Sequence, residues 1–342
     1  MVPDIYMLLR EALERRASDL HISAGIAPAF RVDGDIVITE GEILTEVQVL
    51  AMLELLLTAE QQQALAKSLD LDLSLALPDG NRCRVNVFSH GRGTAMALRL
   101  IPPVVSTLDE LGCPEVVRLL VGARKGLILV TGETGSGKST TLAAMVEHLN
   151  RTQPLHVVTI EDPIEFVHTG RRCMINQREI GRHARSFAAA LRAALREDPD
   201  CILVGELRDL ETMRLALTAA ETGHLVLATL HTNSAPHALD RMIDVFPASE
   251  KLLARAMLAE CLSGVIAQTL FKRRDGGRLA GWEIMVCVPA IRNLIREGKT
   301  AQMYTVIQTG SEYGMQTMAQ HVERLSKAGL IEAAEGERSA RR

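Results

Sequence analysis

Aromatic side chains are scarce in this chain: 3% of 342 residues, with Trp282 the sole tryptophan. A platform that stacks single-stranded bases needs more of them and is excluded. Positive charge is not in excess either. Lys and Arg number 38 against 42 Asp and Glu, a formal charge of −4, so no global basic field draws nucleic acid. No apolar run approaches the roughly 18 residues of a membrane-crossing helix, and charges from Asp4 onward interrupt any leader-like start. The expectation is a soluble, cytoplasmic chain that meets a membrane only through a partner. Six scattered cysteines, Cys83, Cys113, Cys173, Cys201, Cys261 and Cys287, form no C-x-x-C pair. That rules out a zinc ribbon and points to free, buried thiols in a reducing compartment. Internal repeats, low-complexity tracts and coiled-coil heptads are lacking too.

Apolar residues make up 47% of the chain, enough for sizeable cores, and the length suits two domains of about 150 residues each. The most informative run is Gly132-Glu133-Thr134-Gly135-Ser136-Gly137-Lys138-Ser139, followed by Thr140. It satisfies G-x-x-x-x-G-K-[ST], with an apolar stretch from Gly126 to Val130 before it and a helix-favouring run from Lys138 to Leu149 after it. That strand–loop–helix order is the context a phosphate-binding loop requires. Gly132, Gly135 and Gly137 let successive N–H groups face one anion at a helix N-terminus. Lys138 would reach the β/γ-phosphates of ATP, and Ser139 would offer its hydroxyl to Mg²⁺.

The first hundred residues read as a small α+β domain. Ile5, Leu8, Leu9, Ala12 and Leu13 recur at helical spacing, and a helical middle follows. Leu71, Leu73, Leu75 and Leu77 alternate with Asp72, Ser74 and Ala76 as a half-buried strand, and Asp79-Gly80 signals a turn. The next strand sets Cys83, Val85 and Val87 against Arg82, Arg84 and Asn86. A third, Thr94 to Leu100, sets Met96, Leu98 and Leu100 against Ala95, Ala97 and Arg99. Arg84 and Arg99 thus project from the face opposite the apolar one, where the pattern alone reads them as solvated. Pro102-Pro103 breaks regular structure and places an interdomain linker at about 101–110. Beyond it, apolar strands at 127–130, 155–160, 201–204 and 225–230 alternate with helical segments. This is the signature of a parallel sheet wrapped by helices, a RecA-like core. The section from about 248 to 330 reads as mostly helical, and the basic tail Arg338 to Arg342 as disordered.

Ligands of parallel α/β sheets sit beyond the carboxyl ends of the strands. After the 155–160 strand come Glu161, Asp162 and Glu165, either a helix-start cluster or a group handling metal and water. After Cys201-Ile202-Leu203-Val204 comes Gly205-Glu206, with glycine where an acidic metal ligand commonly stands. Glu206 either orients an attacking water or pairs with Arg208. His224 and His231 bracket the 225–230 strand. Seven residues of strand span roughly 23 Å at about 3.3 Å each, so the two cannot share one metal ion. His231 lies at the phosphate end; His224, at the opposite edge, suits packing or an interdomain contact.

The segments GETGSGKST (132–140), TIEDPIEF (159–166), REDPDCILVGELRDLET (196–212) and ETGHLVLATLHTNSA (221–235) resemble the Walker A, Asp box, Walker B and His box of secretion ATPases. ASDLHISAG (17–25), RVNVF (84–88) and AIRNLIREGK (290–299) narrow the resemblance to PilT-like retraction ATPases of type IV pili. The resemblance implies a PAS-like domain over 1–100, a linker over 101–110, and a RecA-like ATPase domain over 111–342. It implies a homo-hexamer with nucleotide between domains and neighbours, peripheral at the inner face of the inner membrane, where it acts on a pilus platform protein. A second retraction ATPase is a further candidate partner. Glu206 becomes the catalytic glutamate, Glu161 and Glu165 the Asp-box contribution, and His224 and His231 the His-box residues. Arg84 and Arg99 become arginine contacts to the nucleotide, against the solvated reading that the pattern gives. Glu133 departs from the family's usual proline, and its carboxylate either points outward or opposes triphosphate binding. An extra N-terminal domain and four-cysteine zinc site, typical of assembly and type II secretion relatives, are not seen, which favours retraction. A PilU-like accessory ATPase shares these motifs and is the rival within the enzymes. A DNA-engaging relative or a slow nucleotide switch are the rivals outside it; low aromatic content and acidic charge oppose the first, and the Glu206 and arginine set the second. The 290–299 helix, with Ile291, Leu294 and Ile295 at helical spacing, is either a force-transmitting element bearing Arg292 and Arg296 or an ordinary core helix.

Overall fold

A computed structural model describes residues 4–77, 82–101 and 104–332. The turn expected at Asp79-Gly80, the break at Pro102-Pro103 and the tail Arg338 to Arg342 lie outside these residues. The chain divides into two compact units at Val104/Val105.

The first unit contains α1 (Ile5–Glu14), β1 (Asp19–Ser23), β2 (Ala29–Val32), β3 (Asp35–Ile38), α2 (Glu46–Leu56), α3 (Ala59–Ser68), β4 (Asp70–Ala76), β5 (Arg82–His90) and β6 (Gly93–Ile101). Helices α2 and α3 each begin with a capping box, Thr45/Gln48 and Thr58/Gln61, which satisfies two otherwise orphaned N–H groups per helix. The six strands form an antiparallel sheet ordered β3-β2-β1-β6-β5-β4. Alternation along β5 buries Cys83, Val85 and Val87 against α1 and α2 residues such as Ile5, Leu9 and Met52.

The second unit contains α4 (Glu115–Val121), β7 (Gly126–Thr131), α5 (Lys138–Thr152), β8 (His156–Glu161), β9 (Met174–Glu179), α6 (Phe187–Ala194), β10 (Cys201–Val204), α7 (Leu210–Glu221), β11 (Leu225–Leu230), α8 (Ala235–Asp244), α9 (Lys251–Cys261), β12 (Leu262–Lys272), β13 (Arg278–Val286), α10 (Pro289–Glu297), α11 (Met303–Thr309) and α12 (Met318–Lys327). The sheet runs β13-β12-β7-β11-β10-β8-β9, parallel except for the antiparallel edge strand β13. Strands β7, β10 and β11 are buried along their whole length, as helices on both faces of a parallel sheet require.

The mostly helical reading of 248–330 is corrected here. Two long strands, β12 and β13, occupy 262–272 and 278–286 and extend the central sheet beyond β7. Burial on both faces removes the period-2 signal from β12, and α9 passes into it with no glycine or proline between. The readable cue was Asp275-Gly276-Gly277, with both glycines at positive φ in the connecting hairpin. Helix α10 buries Ile291 and Ile295, and its Arg292 guanidinium donates to the Ala259 and Glu260 carbonyls at the end of α9. Arg296 lies 3.6 Å from Glu260, so both arginines tie α10 to α9.

Candidate functional site: a phosphate loop facing a His–Glu–Arg row

The loop 132–137 leaves the buried strand β7 at its carboxyl end and delivers the chain to the N-terminus of α5. Gly132, Gly135 and Gly137 all have positive φ, and Gly137 is the left-handed N-cap of the helix. Space reinforces the requirement at two of them. A Cβ on Gly132 would collide with the Gln268 carbonyl oxygen and Ser136 Oγ, and one on Gly137 would stand 2.8 Å from Gln268 Nε2. Thr134, Gly135 and Ser139 are exposed at the loop rim, with Thr140 half-buried behind them. The Glu133 side chain is exposed as well.

Lys138 is buried, and its Nζ donates to the Gly132 and Glu133 carbonyls at 2.8 and 2.9 Å. Burial lowers the ammonium pKa, partly offset by the Glu206 and Glu165 carboxylates. Ser136 Oγ is buried inside the loop with no hydrogen-bond partner among the described residues. A hydroxyl in that condition costs about 1–3 kcal/mol unless something supplies a partner. An orphaned hydroxyl, a buried ammonium and N–H groups at a helix N-terminus form a donor set that fits a polyphosphate. Ser139, at the rim, carries a hydroxyl of the kind that suits a Mg²⁺ ion.

Thr131 places the next group. Its Oγ1 accepts from the Thr232 N–H at 2.9 Å and donates to the Thr232 carbonyl at 2.7 Å. This ties the carboxyl ends of β7 and β11 together and holds His231 beside Lys138. His231 Nδ1 is 3.5 Å from Lys138 Nζ, and Nε2 is 3.4 Å from Glu206 Oε1. Both exceed an ordinary hydrogen bond, so the ring sits between an ammonium and a carboxylate without being locked to either. Glu206 also pairs with Arg208 at 2.8 Å, the contact that the second reading of this carboxylate expects. Burial alone would raise the Glu206 carboxyl, but Arg208 and His231 outweigh it and leave it below the ordinary carboxylate range. The preceding glycine is sterically apt, since a Cβ at Gly205 would stand 3.2 Å from the Ile160 carbonyl oxygen.

At the end of β8, Glu161 accepts hydrogen bonds from Thr159 Oγ1 at 2.6 Å and Gln177 Nε2 at 3.0 Å. Burial raises its pKa against those bonds, and the charge of Glu165 adds to the rise. Glu165 also faces Lys138 electrostatically. Lys138, His231, Glu206, Glu165 and Glu161 therefore share one sheet edge.

His224 does not. It precedes β11 at the Gly126 end of β7, a strand length of about 20 Å from the phosphate loop. Its Nδ1 lies 3.0 Å from the Ala219 carbonyl at the end of α7. Within one subunit the structure thus separates it from this cluster.

Arg84 and Arg99 belong to the first unit, directly opposite one another across β5 and β6. Arg99 Nε pairs with Asp19 Oδ1 at 2.9 Å, and Arg84 lies 3.7 Å from Asp72. Gln268 has no signal in the sequence, because the pattern around it reads as helix while the residue lies on β12. Its buried side chain accepts the Thr141 hydroxyl at 2.7 Å beneath the loop.

The sequence matches the type II/IV secretion system protein family over residues 1–276. It is 53% identical over 328 residues to the type IV pilus retraction ATPase PilT of Pseudomonas aeruginosa, covering 96% of this chain and 95% of that protein. It is 49% identical over 328 residues to a twitching motility protein of Neisseria gonorrhoeae, covering 96% and 88%. Among solved structures, the pilus retraction motor PilT with bound ADP superposes with a TM-score of 0.87 at 42% identity, covering 98% of this chain and 97% of that one. The chain belongs to the type II/IV secretion system protein family and, within it, to the PilT-like pilus retraction ATPases.

Proposed function

We propose that this ATPase works as a homo-hexameric motor, turning ATP hydrolysis into movements of its two units that act on an inner-membrane platform protein and disassemble a type IV pilus. It would sit at the cytoplasmic face of the inner membrane, reaching the bilayer only through that partner. A second retraction ATPase is a candidate companion. On this reading the first unit is a PAS-like domain (1–100), joined through 101–110 to a RecA-like ATPase domain (111–342).

The observation that carries the reading is the convergence of Lys138, His231 and Glu206 beside a loop whose Ser136 hydroxyl is buried without a partner among the described residues. In this assignment the loop amides from Gly132 to Lys138 cradle the phosphates of ATP. Lys138 exchanges the Gly132 and Glu133 carbonyls for phosphate oxygens. Ser139 and Thr140 offer hydroxyls at the start of α5, Ser139 to Mg²⁺. When bound, that ion would neutralise charge gathering on the phosphoryl oxygens. Glu206, held anionic by Arg208, accepts a hydrogen bond from the attacking water and orients it. His231 bridges Glu206 and Lys138, so the water and phosphate groups are positioned together. Glu165 and the more proton-retentive Glu161 complete the opposite wall. Arg84 and Arg99 are assigned to charge stabilisation on the nucleotide.

Expression of this chain alone in a strain lacking its retraction ATPase is the test. Twitching should return with the wild type and not with Glu206→Gln. A wild-type chain that hydrolyses ATP but restores no twitching would contradict the primary retraction role.

A further inference from the structure

Three contacts converge on one residue that lies outside every nucleotide motif. Gln268 sits on β12, where Ala267 pairs with Thr131, the last residue of β7 before the phosphate loop. The Gln268 backbone carbonyl occupies the space that any side chain at Gly132 would need, so it abuts the first residue of the loop. Its side-chain Nε2 fills the space over Gly137, the last residue of the loop. Its Oε1 accepts the Thr141 hydroxyl in the first turn of α5 at 2.7 Å. Gln268 is 4% exposed and Thr141 0%, so water cannot replace this hydrogen bond when one partner is lost.

We infer that Gln268 is a positioning residue for nucleotide binding: with Thr141 it fixes both ends of the phosphate loop to β12, and so sets the affinity for the diphosphate moiety. The inference rests on the nucleotide reading above. The loop itself supplies only short-range constraints, because its glycines are free to reorient. Converging N–H groups need an external template, and Gln268 touches the loop at its start, its end and the helix turn beyond. Loss of the Thr141–Gln268 bond would let Gly137 and the α5 N-terminus drift together, weakening phosphate binding without removing any phosphate ligand. A shift of β12 along β7 would act through the same contacts.

The test is titration of the full chain with a fluorescent N-methylanthraniloyl-ADP in the presence of Mg²⁺. Thr141→Val, which keeps the shape and loses the hydroxyl, should weaken binding by about tenfold, equivalent to ~1.4 kcal/mol. Gln268→Met should do the same, and Thr141→Ser should stay within twofold of wild type. The double variant T141V/Q268M should be within threefold of either single variant, because both remove one shared bond. In ATP turnover the loss should fall on KM, with kcat within threefold. Wild-type affinity in Thr141→Val, or a double variant about a hundredfold weaker, would overturn the inference. If Gln268→Met does not fold, the Thr141→Val and Thr141→Ser pair decides alone. A wild-type chain that fails to bind the probe would instead overturn the nucleotide reading itself.

Discussion

The two units place their functional side chains in opposite ways. In the second unit the central strands β7, β10 and β11 are buried along their whole length, and Lys138, Glu165, Glu206 and His231 lie beyond or beside the carboxyl ends of the parallel strands. In the first unit Arg84 and Arg99 stand in the middle of strands, on the polar face of an alternating sheet. The difference is physical. A parallel sheet covered on both faces has only its ends free for chemistry, whereas an antiparallel sheet with one solvated face can present charge anywhere along a strand. Chemistry at strand ends announces itself by broken apolar runs. Chemistry on a strand face looks like an ordinary wet surface.

The largest effect that separates these cases is expected from the first unit. If Arg84 and Arg99 act on the nucleotide, Arg84→Ala or Arg99→Ala should lower kcat by about 10³–10⁵, the range for arginine fingers. A loss below tenfold in purified, folded protein would return both arginines to a surface role, held by Asp19 and Asp72. A moderate effect probes the response of the second unit to acid. His321 accepts a hydrogen bond from the Trp282 N–H at 3.0 Å, and burial pushes its pKa down from 6.5 to about 4. Its folded-state pKa lies below its unfolded one, so this contribution is whole above pH 6.5 and is lost as pH falls toward 4. Thermal midpoints should decline across that window, and His321→Phe should flatten the decline; an unchanged slope would refute the role of this ring. The smallest effect is expected at His224. Placed at the far end of β11, it should tolerate His224→Ala with hydrolysis within threefold of wild type. A loss of tenfold or more, measured on the assembled protein, would mean that it acts across a subunit boundary.

How much was legible in the sequence follows the same division. The phosphate loop was readable because its glycines, lysine and serine carry their geometry within eight consecutive residues. Glu206 and His231 were readable as the residues following apolar strands. The alternation of Cys83, Val85 and Val87 with Arg82, Arg84 and Asn86 gave β5 its two faces correctly. What the pattern concealed was β12 and, with it, Gln268. A strand buried on both faces has neither a helical nor an alternating period, and it follows α9 without punctuation. The contact from Thr141 to Gln268 joins residues 127 positions apart, which no local spacing encodes. His224 illustrates the converse: a residue grouped with the site by motif is separated from it by the length of a strand.

The central claim is that the loop 132–139, with Lys138 at its centre, grips a polyphosphate. Calorimetric titration with Mg²⁺ and a non-hydrolysable ATP analogue tests it most directly. The account predicts saturable heat from one class of site in the wild type and none in a folded Lys138→Ala variant. Equal heats from the two proteins, or no heat from the wild type, would contradict it.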